Sequence, residues 1–270
     1  MVVGKVDRSV TKWLGKIPGV NLKQVLLRFT QNGIHVKQAD TLKYRYVDGN
    51  ISPKDPAISE WTCQEPIDVP IEDLDTLIRI IGSFEDLITV EVTPQALILQ
   101  TDSRKLRYLL IDKNFIKFVD ELNFSQPTFS NRLVEFEVPS KLLQAVAKSI
   151  GLIKSKSVFV RLEDDGTLTI SVGSLNENTL TEKAKVSNPE KIAFETSYSA
   201  ELLNELIGTI SQDKVIVSFI RGKNPGDAGA ICIKEVGETQ LFTNYLAKAK
   251  VGESAKDEKK EEKSEKEAPK

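Results

Sequence analysis

The feature that most restricts this chain is a repeat. Four segments carry apolar residues at i, i+3, i+4 and i+7, the stripe of a helix that buries one face. Asp7–Ile17 places Val10, Trp13, Leu14 and Ile17 on one side, and Pro70–Gly82 does so with Ile71, Leu74, Leu77, Ile78 and Ile81. Ser140–Leu152 uses Leu142, Leu143, Val146 and Ile150, and Ser199–Ile210 uses Leu202, Leu203, Leu206 and Ile210. Asp7 or Ser9, Ser140 and Ser199 are suited to cap three of these helices, and Pro70 suits the first turn of the second. Three short runs rich in β-branched and aromatic residues follow each helix. They are Gln24–Thr30, Gly33–Gln38 and Leu42–Asp48; Leu87–Val92, Ala96–Thr101 and Arg104–Ile111; Val158–Leu162, Thr167–Val172 and Thr179–Val186; and Lys214–Arg221, Ala230–Glu235 and Leu241–Ala247. Glu60–Gln64, Val134–Val138 and Lys191–Thr196 read as strands that precede three of the helices. Gln31-Asn32-Gly33 and Asp164-Asp165-Gly166 supply hairpin turns.

One β-α-β-β-β unit therefore recurs four times at a spacing of roughly 60–70 residues, longer than the common solenoid repeats. Strands outnumber helices, so the expected class is α+β, with antiparallel sheets and helices packed on one face. Two units per domain predict two similar domains, 1–111 and 133–250. Between them, 112–132 is a connector with Asn114, Ser125, Pro127 and Ser130 and no clear periodicity.

Composition sharpens this. The chain has 270 residues, 37 Lys+Arg against 39 Asp+Glu, a formal charge of −2 and 40% hydrophobic residues. A wholly disordered chain would be less aliphatic and more charged. No run of about 18 apolar residues is present to span a membrane, and the scattered charges of Met1–Lys16 do not make a signal peptide. Two cysteines, Cys63 and Cys232, cannot form a disulfide scaffold, so a reducing cytoplasm is expected. Gly252–Lys270 holds six Lys and seven Asp+Glu and nothing aliphatic larger than Ala, so 251–270 is expected to be a disordered charged tail.

Catalytic signals are missing. His35 is the one histidine and falls in a strand, where packing is its ordinary role. Cys63 and Cys232 lack metal-ligand spacing, and Gly222-Lys223 lacks the frame of a phosphate-binding loop. Asp164-Asp165 belongs to a turn. Neither an enzyme nor a cofactor or metal is expected.

Charge is distributed unevenly over the helices. Arg8, Lys12 and Lys16 fall at i, i+4 and i+8 on the first, opposite Val10, Trp13 and Leu14. Lys141 and Lys148 lie one heptad apart on the third, with Lys154 and Lys156 just beyond it. Such faces suit phosphates, through charge alone and without reading sequence. For any one lysine an ordinary solvated face is the plainer alternative. The second helix shows Glu72, Asp75 and only Arg79, and the fourth shows Glu201 and Glu205.

Several stretches, in order and spacing, carry a family likeness. They are Asp73-Leu74-Asp75-Thr76-Leu77-Ile78-Arg79-Ile80-Ile81 with a meander ending in Asp102-Ser103-Arg104, and Val134-Glu135-Phe136-Glu137-Val138-Pro139-Ser140-Lys141-Leu142-Leu143-Gln144. Asn178-Thr179-Leu180-Thr181, Phe219-Ile220-Arg221-Gly222-Lys223 and Asn244-Tyr245-Leu246-Ala247-Lys248 follow. Over Met1 to about Lys248 the chain resembles the trimeric DNA polymerase sliding clamps, those of tailed phages foremost and the proliferating cell nuclear antigen type more distantly. The resemblance implies a homotrimeric ring on duplex DNA that tethers a replicative DNA polymerase and is opened by an ATP-dependent clamp loader. It implies helices lining the hole, with Arg8, Lys12, Lys16, Arg79, Lys141, Lys148, Lys154 and Lys156 toward DNA. It implies subunit contacts through Arg104–Ile111 and Thr179–Val186, with Arg104, Lys105, Arg107, Leu109, Thr179, Thr181 and Lys183; the charges suit this loosely, Arg104, Lys105 and Arg107 against Glu182, though Lys183 and Lys185 oppose it, and plain edge strands protected by charge are the alternative. It also implies a partner-peptide pocket near the connector, drawing on Phe115, Ile116, Phe118, Tyr245, Leu246 and Ala247. A monomeric clamp-fold factor that grips DNA electrostatically and a non-catalytic virion protein are the alternatives. The near-zero net charge does not oppose DNA contact, because a global sum averages over faces.

Overall fold

The computed structural model describes residues 2–17, 23–39, 45–116, 131–173, 178–222 and 228–248. Among them the four units are plain. The first is β1 (Val2–Val6), α1 (Val10–Leu14), β2 (Val25–Thr30), β3 (Gly33–Ala39) and β4 (Arg45–Ile51). An additional strand, β5 (Ile58–Cys63), separates it from the second: β6 (Ile67–Ile71), α2 (Leu74–Gly82), β7 (Ile88–Val92), β8 (Ala96–Gln100) and β9 (Lys105–Leu109). The third is β10 (Arg132–Pro139), α3 (Ser140–Ile153), β11 (Ser157–Leu162), β12 (Thr167–Val172) and β13 (Leu180–Lys185). The fourth is β14 (Phe194–Ser199), α4 (Ala200–Gly208), β15 (Lys214–Arg221), β16 (Ala228–Val236) and β17 (Gln240–Ala247).

Local chemistry sets the helix starts. Asp73 precedes α2, and its carboxylate accepts from the Thr76 N–H at 3.0 Å; that bond holds its pKa below the usual carboxylate range. Ser199 accepts from the Leu202 N–H at 3.4 Å ahead of α4. Two expectations are corrected. Pro70 lies in β6, opposite Leu26, because an edge strand tolerates a residue without an N–H. Ser140 is the first residue of α3 rather than its cap, and its hydroxyl donates to the Gln212 carbonyl. α1 is also shorter than its apolar stripe: Lys16 and Ile17 continue it only as turns, donating to the Trp13 and Leu14 carbonyls at 3.1 and 3.0 Å. The strands β1 and β6 were not legible as strands in the sequence, and β4 runs on to Ile51.

Every strand pairing is antiparallel, in three sheets. The orders are β5-β1-β7-β8-β9, β10-β15-β16-β17-β4-β3-β2-β6, and β13-β12-β11-β14. The helices pack in two pairs, α1 with α2 and α3 with α4. Two apolar cores lie beneath them, one around Trp13, Ile71, Leu74, Leu77 and Ile88, the other around Val146, Tyr198, Leu206 and Phe219. This is the α+β arrangement of sheets on one side and helices on the other.

The middle sheet joins the two halves. The last strand of unit four, β17, pairs with the last strand of unit one, β4, through seven residue pairs from Gln240↔Ile51 to Leu246↔Arg45. Gly49 permits this contact, since a Cβ there would lie 2.8 Å from the Phe242 ring opposite. Phe242 in turn meets Trp13 edge-on, with ring centroids 6.4 Å apart.

Candidate DNA-facing helices and subunit-edge strands

The repeats can be superposed residue by residue through shared hydrogen bonds. The Lys23 carbonyl accepts from the N–H of Leu74, and the Lys156 carbonyl accepts from the N–H of Ala200, both at 3.0 Å. Counting back equally from Lys23 and Lys156 matches buried Val10, Trp13 and Ile17 with buried Leu143, Val146 and Ile150. The same count matches Arg8 with Lys141, both exposed. A cation thus stands at one equivalent place in both odd units, just ahead of α1 at Arg8 and in the first turn of α3 at Lys141. Lys12, Lys148, Lys154 and Lys156 are exposed too, and Lys154 ends α3 in the left-handed conformation at φ 55°.

Lys16 does not join this face, which corrects the expectation from spacing. It is buried, 7% exposed, and its Nζ donates to Glu235 Oε1 at 3.0 Å and to Ser211 Oγ at 2.7 Å. The helix ends before Lys16, so helical spacing no longer governs where its side chain goes. Glu235 Oε2 accepts from the N–H groups of Ser211 and Gln212 at 2.8 and 3.1 Å. The ion pair is thus satisfied on both sides, as a buried pair must be.

The even helices differ from the odd ones in kind. Counting from the caps Asp73 and Ser199 matches Asp75 with Glu201 and Arg79 with Glu205. Arg79 is exposed and donates to Thr76 Oγ1 at 2.9 Å. Glu205 faces Arg45, a β4 side chain only 1% exposed, at 3.8 Å, and Arg45 also donates to Asn244 at 3.1 Å. Asp55, likewise buried, accepts from Thr239 and Gln240 at 2.6 and 2.9 Å. Glu235, Arg45 and Asp55 are buried polar groups at the β4–β17 seam that sequence reasoning missed. A charged residue inside a strand pattern was the signal available for Arg45 and Glu235; Asp55 lies in a turn and gave none.

The two strands expected at subunit contacts each stand at one end of an outer sheet, β9 at the far end from β5 and β13 at the far end from β14. Their burial is low, and both show apolar side chains to solvent: Leu109 is 64% exposed and Leu180 38%. Lys105, Arg107, Thr181 and Lys183 point to the solvent face; Thr179 is exposed just before β13 and Arg104 just before β9. Arg104 lies over the Phe84 ring at 4.7 Å. Glu182 stands opposite buried Ile170, on the other face from Lys183, so it does not complement Lys105 or Arg107 as the sequence suggested.

The expected peptide-pocket residues do not behave alike. Phe115 is 71% exposed on a short 3-10 turn, Lys113–Phe115, beside β6. Ile116 is buried. Leu246 is fully buried in the C-terminal core, because its place in the strand alternation points it at the helices; its role as a peptide anchor is corrected. Tyr245 and Ala247 face the other way and are half-buried. Burial raises the Tyr245 pKa and pushes the Cys232 thiol beside it up to about 12. Phe118 lies outside the described residues, as do most of the connector and the charged tail. Among the described residues there is no acid, His and Cys cluster that would hold a metal, and no helix is long and apolar enough to cross a membrane.

Four β-α-β-β-β units, fused pairwise through an eight-stranded sheet and leaving the last strands of units two and three, β9 and β13, at sheet edges, define the DNA-clamp fold. Solved structures agree. Proliferating cell nuclear antigen from Entamoeba histolytica superposes with a TM-score of 0.70 at 16% identity, covering 92% of this chain and 99% of that one. The A. fulgidus antigen bound to the C-terminal region of FEN-1 gives 0.70 at 16% identity, covering 94% and 100%. The antigen from Thermococcus kodakaraensis gives 0.71 at 14%, covering 92% and 100%. No family model and no curated protein sequence matches the chain. The chain therefore has the fold of a sliding clamp of the proliferating cell nuclear antigen type.

Proposed function

We propose that this protein is a DNA sliding clamp. Three copies close into a ring around duplex DNA, tether a replicative DNA polymerase for processive synthesis, and are opened by an ATP-dependent loader. One observation carries the reading. Within the chain, the last strands of units one and four pair across the β4–β17 seam, while the equivalent strands of units two and three, β9 and β13, stay open. Repeating the seam between copies pairs β9 of one with β13 of the next. That contact is heterologous, so it closes into a ring where the rotation between successive copies brings the last back to the first, and closure covers the exposed edges of β9 and β13. The helices then line the hole, with Arg8, Lys12, Lys141, Lys148, Lys154 and Lys156 toward phosphate, and Arg79 as the lone cation of the even helices. A topological tether needs no catalytic group. Phe115, Tyr245 and Ala247 supply surface for a partner peptide beside the connector.

Sedimentation at micromolar concentration tests the ring: the mass should be three times the 30.1 kDa chain. A monomer at every concentration overturns it. The ring should also be retained on linear duplex whose ends are blocked after threading, and should slide off when they are free. A second reading, a monomeric clamp-fold factor, draws on the cations at both free edges. It predicts tight binding to short unblocked duplex with a steep salt slope.

A further inference from the structure

The two free edges aim their cations the same way. On β9, Lys105 and Arg107 share the solvent face with Leu109, while Leu106 and Tyr108 pack on the N-terminal core. On β13, Lys183 and Lys185 stand opposite Thr169 and Thr167 on the solvent face. Lys185 is tied to Asp165 at 2.6 Å. Among the described residues Lys105, Arg107 and Lys183 have no ion-pair partner. The seam inside the chain is balanced instead: Asp48 stands opposite Thr243 and faces Lys37 at 4.0 Å, and Tyr46 stands opposite Tyr245.

Joining β9 to β13 places these cations in adjacent strands on one face, about 4.8 Å apart. Like charges set side by side in a ladder oppose pairing. The closed junction is therefore a concentrated positive patch, absent from a single copy, next to an exposed leucine. We propose that the outer face of this junction binds an extended acidic peptide of a partner protein, and that the bound peptide tightens the ring. The inference rests on the ring reading above. Leu109 favours a peptide over nucleic acid, because carboxylates flanking an apolar side chain match both parts of the patch, whereas phosphates leave the leucine in water. Duplex DNA, moreover, is enclosed by the helix face on the opposite side of the sheets.

A short fluorescein-labelled glutamate-rich peptide containing one leucine is the probe, with anisotropy reporting binding and sedimentation reporting the trimer. The peptide should bind the trimer at low salt and shift the monomer–trimer balance toward the ring. It should not bind Leu180→Arg, which keeps the edges apart. High salt should strengthen the peptide-free ring by screening like charges. Lys183→Glu should abolish peptide binding and tighten the empty ring at low salt by roughly two- to fivefold. Lys183→Gln should lie between the two. Equal binding to monomer and trimer overturns the proposal, as does a ring that weakens steadily with salt and ignores the peptide. Short duplex DNA displacing the peptide with the same dependence on Lys183 would make the patch a nucleic-acid surface and overturn it too. A chain that stays monomeric throughout fails the ring reading itself, whereas a trimer indifferent to the peptide fails only this inference.

Discussion

The β4–β17 seam and the β9 and β13 edges use the same strands of the same repeat, yet they are finished differently. At the seam, Lys16 and Glu235 form a buried, hydrogen-bonded ion pair, and Arg45, Asp55 and Gly49 fit one particular opposite strand. The equivalents of Lys16 and Glu235 on the open side are Ser149 and Leu99, found by counting back from Lys156 and from the matching turn bonds Thr101 to Arg104 and Gly237 to Gln240. No ion pair is available there. The difference follows from connectivity. A strand delivered by the same chain is always present, so charges can be buried against it. An edge with no strand delivered to it by its own chain has to tolerate water, and the proposed ring asks it to meet and release another copy besides.

Mutations can break or sharpen this contrast. The largest effect should come from Lys16→Ala, which leaves Glu235 buried without its cation; about 3–5 kcal/mol of stability should be lost in urea unfolding. A loss under about 1 kcal/mol would put the seam on the same footing as the open edges. Leu180→Arg should leave chain stability within about 0.5 kcal/mol of the parent while removing the trimer in sedimentation; Leu246→Arg, at the seam, should prevent folding. Replacing Arg8 and Lys141 together by Gln should flatten the log–log salt dependence of duplex binding by about 1.8 for each chain whose two cations touch phosphate, at roughly 0.9 per contact. The acidic Glu201→Gln should not flatten it. The smallest effect concerns His35, whose pKa burial lowers despite the opposing pull of Asp48. Its neutral form suits the fold, so stability should be full above the unfolded value near 6.5 and fall as pH drops toward the folded value. Melting temperatures between neutrality and about pH 5 should decline less in His35→Gln than in the parent.

Much of this was readable in the chain. The helical stripes placed α3 to within a residue, and most strands followed from β-branched runs. The failures share a cause. Pro70 looked like a helix start because proline favours first turns, but its neighbours belong to an edge strand. β1 is a short terminal run whose partners lie far along the chain, beginning with Ile58 and Ile88. Lys16 sat on a basic helical face only if α1 continued, and its partner lies 219 residues away. Leu246 looked like a surface anchor because a strand's alternation shows which residues share a face but not which face is buried.

By itself, the sequence determined the number and order of the units, the α+β class and the concentration of cations around the odd helices rather than the even ones. These are matters of local period and composition. Only the tertiary structure decided that β17 closes on β4 while β9 and β13 stay open, that Lys16 is a buried strut, and that Glu182 faces away from the cations of its own edge. Each of those depends on which distant strand arrives alongside. A local pattern carries no record of that choice, because the free energy that fixes it comes from pairing and burial between segments far apart in the chain.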